Sequence, residues 1–201
     1  INNREYAILL TSLLYAMDRI ANTCGHYDAW RRNVDLSEQV LEMRMLDAEK
    51  NLNPQNQCFN TDSNKLAENI KSDVVYLDPP YNSRQYCDAY HLVENVARWQ
   101  KPEVFGVAKK MDRTALKSKY CTQSAPKAFD DLISKLDAKY ILVSYNNMEN
   151  KGNDRSNARI SDEEILSSLK KRGKVQVFSE NYKAFTTGKS NRNDNQERLC
   201  A

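Results

Sequence analysis

Residues 74–86 read Val-Val-Tyr-Leu-Asp-Pro-Pro-Tyr-Asn-Ser-Arg-Gln-Tyr, a short apolar run that stops abruptly at an acid, two prolines and an aromatic ring. An apolar run of this length bounded by proline has the pattern of a buried strand. Pro79 and Pro80 fix φ for both residues and lack N–H donors, so the chain cannot continue a sheet ladder at this point. The strand therefore ends in a rigid turn that offers carbonyl acceptors. In open α/β sheets ligands bind outside the carboxyl ends of the strands, which is where residues 78–81 fall.

The rest of the chain supplies elements for such a sheet. Its 201 residues suit one domain plus an appendage. Asn2 and Glu5 form a capping-box pattern at the start of a long helix, expected to end near Gly25 and to be mostly buried. A second helix is expected over residues 36–51, with Asp35 as N-cap, Glu38 in the reciprocal position, and Leu36, Val40, Met43 and Leu46 on one face. Pro54 follows it. Strand-like runs then appear at residues 57–61, 74–77, 140–144 and 175–179, with helical patterns at 129–136 and 162–171. Ser161 and Glu164 make a second capping box, and Gly173 is placed to stop that helix. Strand, helix, strand implies parallel pairing. Residues 175–182 and 197–200, joined by a polar, Asn-rich connection, suit an antiparallel pair closing the sheet's edge.

Composition narrows the class without naming it. Thirty Lys and Arg against 27 Asp and Glu leave a net charge of +3, too small to force nucleic-acid binding. Mean hydropathy is −0.77, and the apolar stretch over residues 6–21 is broken by Thr11, Ser12, Asp18 and Arg19. That stretch falls short of the ~20 apolar residues a bilayer requires. Five cysteines with no Cys-x-x-Cys pair argue against a zinc ribbon or a disulfide framework and for a reduced, intracellular setting. No secretory signal pattern opens the chain, which starts at Ile1 rather than Met, as a fragment would.

A rigid turn of this kind suits one chemistry in particular. The Asp78 carboxylate and the Pro79 carbonyl can accept the two hydrogens of an exocyclic amine while Tyr81 stacks on the ring, leaving the nitrogen lone pair free. A base inside a duplex reaches such a pocket only by flipping, at a cost of a few kcal/mol partly offset by stacking of ~1–3 kcal/mol. The plainer alternative is a proline turn after a buried strand, with Asp78 capping a helix and Tyr81 serving as packing.

Asp-Pro-Pro-Tyr after an apolar strand resembles motif IV of amino-group DNA methyltransferases, and residues 78–104 as a whole resemble the D12 class of adenine-specific enzymes. In that family Asp at the first position goes with adenine N6 and Ser with cytosine N4. The resemblance implies S-adenosylmethionine as methyl donor, a flipped adenine in double-stranded DNA as acceptor, and direct in-line displacement with no metal. It assigns catalysis to Asp78, Pro79, Pro80 and Tyr81. Asp62, sixteen residues upstream, matches motif III; Tyr90, His91 and Glu94 match motif V; Ser144, Tyr145 and Asn146 match motif VI. Of these, Asp62, Asp78, Tyr90 and Ser144 are assigned to the cofactor. DNA contacts fall to Tyr27, Trp30, Arg31 and Arg32 in the leading segment, to Arg84 and Tyr86 beyond the turn, and to Lys189 and Arg192, with Lys183, in a late basic loop. Ordinary roles remain open for several of them: a helix cap for Asp62, a helix face for His91, turn backbone for Asn146 and Asn147, solvated surfaces for the basic residues.

The implied fold is α/β, a Rossmann-like methyltransferase sheet with a helical DNA-recognition segment at residues 1–55 and the C-terminal part of the catalytic domain at 56–201. The family's glycine-rich cofactor loop, FxGxG, has no counterpart, because all five glycines are isolated. In the family's strand order, 3-2-1-4-5-7-6, a chain beginning at strand 3 lacks strands 1 and 2. The resemblance therefore implies that the N-terminal part of the enzyme joins in cis, or as a second chain in trans. It also implies work on the nucleoid in the cytoplasm, away from membranes. Two other functions fit the same residues: an RNA adenine N6-methyltransferase, which Asp rather than Asn at position 78 disfavours, and a non-catalytic DNA-binding remnant or partner subunit.

Overall fold

The structure, a computed structural model, describes residues 1–23, 26–28, 39–47, 55–107, 109–146, 158–181 and 196–201. In chain order the elements are α1 (Asn3–Ile20), α2 (Ser63–Leu66), β1 (Lys71–Leu77), α3 (Tyr86–Ala97), β2 (Val104–Phe105), β3 (Lys110–Met111), α4 (Ala125–Lys135), β4 (Asp137–Asn146), α5 (Asp162–Lys170), β5 (Val177–Asn181) and β6 (Gln196–Cys200). They make two compact units: Ile1–Cys58 with Tyr86–Lys117, and Phe59–Gln85 with Ser118–Ala201.

In the first unit, α1 starts at the expected capping box. The Asn2 side chain accepts from Glu5 N at 2.9 Å, and the Glu5 carboxylate accepts from Asn2 N at 2.9 Å. The helix ends at Ile20, earlier than expected, while Gly25 lies outside the described residues. The expectation that it is mostly buried is overturned: only Ser12 and Ala16 are buried, and Tyr6 and Tyr15 are 52% and 62% exposed. Periodicity marks an apolar face, but α1 meets α3 only briefly, so that face is left largely uncovered in the described residues.

The helix expected over residues 36–51 is likewise absent across its described part, residues 39–47, which adopt neither helix nor strand. Val40 and Met45 are 78% and 66% exposed there. A short amphipathic helix takes most of its stability from burying its apolar face, and every described residue of this segment is exposed. Several of the unit's polar contacts gather around residues 26–28. Tyr27 N donates to Ala89 O at 2.8 Å, and the Tyr27 hydroxyl donates to Asp18 at 3.1 Å. Asp28 pairs with Lys110, and Arg113 Nε meets Asp88 at 3.0 Å. Lys110 beside Asp28 holds its carboxyl below the usual range.

The second unit is built on a four-stranded sheet of order β1-β4-β6-β5. β1 and β4 run parallel, from Lys71↔Asp137 to Leu77↔Val143, as the strand-helix-strand pattern predicts. β6 pairs antiparallel with both β4 and β5. The core lies on one face of the sheet. Phe129, Leu132 and Ile133 of α4 and Ile165 and Leu169 of α5 pack on Val143, Tyr145 and Cys200. α4 begins with Pro at its first turn, where no N–H is missed, and α5 starts at the predicted Ser161–Glu164 capping box. On the other face Val74, Tyr76, Tyr140 and Phe178 are 53%, 59%, 65% and 54% exposed. The strand expected at residues 57–61 does not form. A strand exists only through a neighbour's hydrogen bonds, and among the described residues β1 is bonded to β4 alone.

Candidate active site at the carboxyl ends of β1 and β4

The parallel register stops at Leu77↔Val143, yet β4 continues to Asn146 while β1 gives way to the proline turn. Residues 78–81 and 144–146 thus lie side by side at the carboxyl end of the sheet's parallel pair. Asp78 is exposed, Pro79 and Pro80 are half-buried, and Tyr81 is 38% exposed. Asp78 caps no helix, since α3 begins only at Tyr86.

The turn is pinned through its backbone. Tyr81 O accepts from Arg159 N at 2.8 Å and from the Tyr145 hydroxyl at 3.2 Å. The same hydroxyl accepts from Ile160 N at 3.1 Å. Tyr145 is 3% exposed, and burial pushes its phenol up to about 12, so it remains a donor to Tyr81 across the neutral range. On the far side of the turn, Asn82 Oδ1 accepts from Arg84 N at 2.9 Å, and the Cys121 thiol donates to Arg84 O at 3.3 Å. The buried Gln85 side chain donates to Ser118 O at 3.1 Å and accepts from Ser118 N at 2.7 Å. A loop fixed at both ends holds its exposed carboxylate and carbonyls where a ligand would meet them without reorganisation.

Tyr145→Phe tests this anchoring. The change removes the acceptor of Ile160 N, in a residue 1% exposed, and one of two donors to Tyr81 O. Leaving a buried donor unsatisfied costs about 1–3 kcal/mol. Urea unfolding is expected to show a loss of that size; an unchanged midpoint would mean that the hydroxyl anchors nothing.

The other expected site residues are distributed as follows. Asp62 is the N-cap of α2, its Oδ1 accepting from Asn64 N at 2.9 Å and Lys65 N at 3.3 Å. Ser144 lies on β4 opposite Leu199, and Asn146 is buried at the strand's end. Arg84 is exposed in the loop beyond the turn. In the first unit, Tyr86 and Tyr90 stack with ring centroids 5.9 Å apart, His91 Nδ1 lies 3.1 Å from Asp88 O, and Glu94 pairs with Arg98. Tyr27 is engaged with Asp18, and its phenol is pushed up to about 12 by burial and by that carboxylate. Trp30, Arg31, Arg32, Asn147, Lys183, Lys189 and Arg192 lie outside the described residues. Sequence reasoning missed Gln85, Ser118, Cys121, Arg159 and Ile160. All but Gln85 lie far along the chain from the turn they hold, and no local pattern marks them. Among the described residues, no group of three His, Cys, Asp or Glu side chains is placed to hold a metal ion, and no helix is long and apolar enough to cross a membrane.

A family model described as D12 class N6 adenine-specific DNA methyltransferase matches residues 1–155. Among curated proteins, modification methylase StsI of Streptococcus sanguinis is 39% identical over 175 residues, covering 85% of this chain and 25% of that protein. Type II methyltransferase M.FokI of Planomicrobium okeanokoites is 36% identical over 180 residues, 89% of this chain and 26% of that one. Type II methyltransferase M.NlaIII of Neisseria lactamica is 33% identical over 199 residues, 96% and 55% respectively. The chain thus spans between a quarter and about half of the length of these relatives. No solved structure matches it. With the family model covering more than three quarters of its length and the Asp-Pro-Pro-Tyr turn at the end of a parallel strand pair, the chain belongs to the D12 class of N6 adenine-specific DNA methyltransferases.

Proposed function

We propose that this chain carries the target-amine side of an enzyme that methylates N6 of an adenine flipped out of double-stranded DNA. The observation that carries this reading is the Asp78–Pro79–Pro80–Tyr81 turn, pinned by Tyr145 and Arg159 at the carboxyl end of β1. Asp78 and the Pro79 carbonyl are acceptors for the two amine hydrogens, and Tyr81, 38% exposed, has a ring face to offer the base. As the amine attacks, its nitrogen gains positive charge, which a carboxylate and a carbonyl oxygen stabilise; its proton leaves afterwards, so Asp78 need not be a strong base.

The donor set suits S-adenosylmethionine in part. Asp62, capping α2 through Oδ1, the Ser144 hydroxyl near the end of β4, and Asp78 are the second unit's polar groups assigned to it, while the assignment of Tyr90 rests on the family resemblance alone. When bound, this cofactor supplies a methyl group activated on a sulfonium. The strand order β1-β4-β6-β5 is compatible with strands 4-5-7-6 of the family's Rossmann-like sheet. On that reading strands 1 and 2, with the glycine-rich loop, come from another part of the enzyme in cis or from a second chain in trans, and meet the open side of β1. Residues 1–55 would belong to target recognition, with Arg31, Arg32, Trp30, Lys189 and Arg192 among the DNA contacts. Such an enzyme would work at the nucleoid, in the cytoplasm.

The direct test is incubation of the full-length protein with labelled S-adenosylmethionine and duplex DNA, followed by nucleoside analysis. N6-methyladenine is the expected product; methylated cytosine, or label in RNA alone, would overturn the reading. Tyr81 gives a finer result. Tyr81→Ala should lower kcat/KM by about the value of one base-stacking contact, ~1–3 kcal/mol, while Phe or Trp preserves much of the activity. Equal losses in Phe and Ala would exclude stacking.

A further inference from the structure

Trp99 stands in a conformation that its side chain disfavours. At the end of α3, Trp99 N donates to Val96 O at 3.0 Å and Gln100 N to Asn95 O at 2.7 Å, and Trp99 takes a φ of 52°. That left-handed position is usually glycine, because a Cβ there costs roughly 1–2 kcal/mol. Packing does not offset the strain. The residue is 77% exposed, and the contact recorded for its ring is Lys101 Nζ, 5.0 Å from the centroid. A strained, exposed tryptophan beside a cation is the kind of outlier from which function is inferred.

The surroundings have the same character. The β2–β3 hairpin is tied to the same end of α3, with Asn95 Nδ2 3.1 Å from Met111 Sδ. Its turn carries Val107, 104% exposed, and Lys109, also left-handed at φ 47°. Residues 98–117 hold six Lys and Arg against Glu103 and Asp112, a net +4 in a chain whose total is +3. Arg98 pairs with Glu94, and Lys110 and Arg113 pair with Asp28 and Asp88. Lys101, Lys109 and Lys117 are in none of the ion pairs among the described residues. Ammonium groups flanking an exposed indole match a nucleotide, with phosphate for the cation and sugar or base for the ring. A protein partner of the usual apolar kind would not call for this excess of lysine.

We propose that Trp99, Lys101 and the β2–β3 turn form a DNA-contacting element, the indole packing against the duplex and Lys101 and Lys109 meeting adjacent phosphates. This rests on the reading of the chain as part of a DNA methyltransferase. The test uses the full-length protein and a duplex carrying its methylation site. Trp99→Gly removes the strain, so the thermal midpoint should hold or rise, while duplex affinity falls roughly ten- to hundredfold, the value of one stacking contact. Trp99→Phe should restore most of it. Lys101→Ala and Lys109→Ala should each lower the salt slope of binding by about one phosphate contact. Unchanged affinity in Trp99→Gly while N6-methyladenine is still formed overturns this inference alone. A thermal midpoint lowered by several degrees, or a preference for single-stranded RNA, also overturns it. An unsubstituted protein that neither binds duplex DNA nor forms N6-methyladenine overturns both this inference and the reading beneath it.

Discussion

Replacing Asp78 by Ala is expected to abolish methyl transfer while leaving S-adenosylmethionine affinity within roughly tenfold, a change of ~1.4 kcal/mol or less. Asp78 is exposed, caps no helix and sits just beyond the last paired residue of β1, so folding does not depend on its carboxylate. Its main proposed work is at the amine, where positive charge develops as the nitrogen attacks, and its share in holding the cofactor is the smaller part. Removing one fixed partner of a developing charge lowers turnover by about 10²–10³. Asp78→Asn keeps the shape and one acceptor oxygen but turns an NH₂ group toward the amine's hydrogens, so it should fall between wild type and Ala. The measurement is single-turnover methylation with both substrates saturating, alongside thermal unfolding. Turnover above about a tenth of wild type would remove Asp78 from the reaction, given the size of loss expected for such a group. A lowered unfolding temperature would instead give it a structural role.

What could be read from the sequence was local chemistry. Two prolines after an apolar run fix a turn wherever they occur, and both capping boxes pair residues three apart, so Asn2–Glu5 and Ser161–Glu164 stand where expected. The parallel pairing of β1 and β4 followed from the helix between them. Whether an element has a partner was not readable. Residues 39–47 carry a helical apolar pattern and residues 57–61 a strand-like one, but neither finds a surface or an edge to complete it among the described residues. The pair expected to close the sheet does so with β6 beside β4 and β5 outermost, a choice made by non-local hydrogen bonds. The union of residues 86–117 with the N-terminal segment depends on the same kind of contact, such as Tyr27 N to Ala89 O and Asp28 to Lys110. The site divides along this line. Asp78 and Tyr81 are marked by their neighbours in sequence, whereas Arg159, which donates to Tyr81 O, and Ile160, which donates to the Tyr145 hydroxyl, lie beyond β4 in the chain.

Phe129→Ala is expected to produce the largest loss of stability in the chain. Phe129 is 0% exposed on α4, in the cluster that joins α4 and α5 to Val143 and Tyr145 of β4. Truncating a buried phenylalanine costs about 3–5 kcal/mol, part from lost transfer energy and part from the cavity left among side chains that relax only partly. Against a typical total of about 5–15 kcal/mol, that is enough to unfold a marginal domain near physiological temperature. Lys127, exposed on the same helix, is the control, and its replacement by Ala should change stability by no more than about 0.5 kcal/mol. Urea titration of the two variants side by side separates core packing from helix propensity, since both substitutions introduce the same residue into the same helix. The effect should also reach the site. Tyr145 belongs to this cluster and holds the Tyr81 carbonyl, so Phe129→Ala should lower methyl transfer even at temperatures where the protein remains folded. A loss below about 1 kcal/mol would be too small for a fully buried aromatic ring and would move the core away from α4.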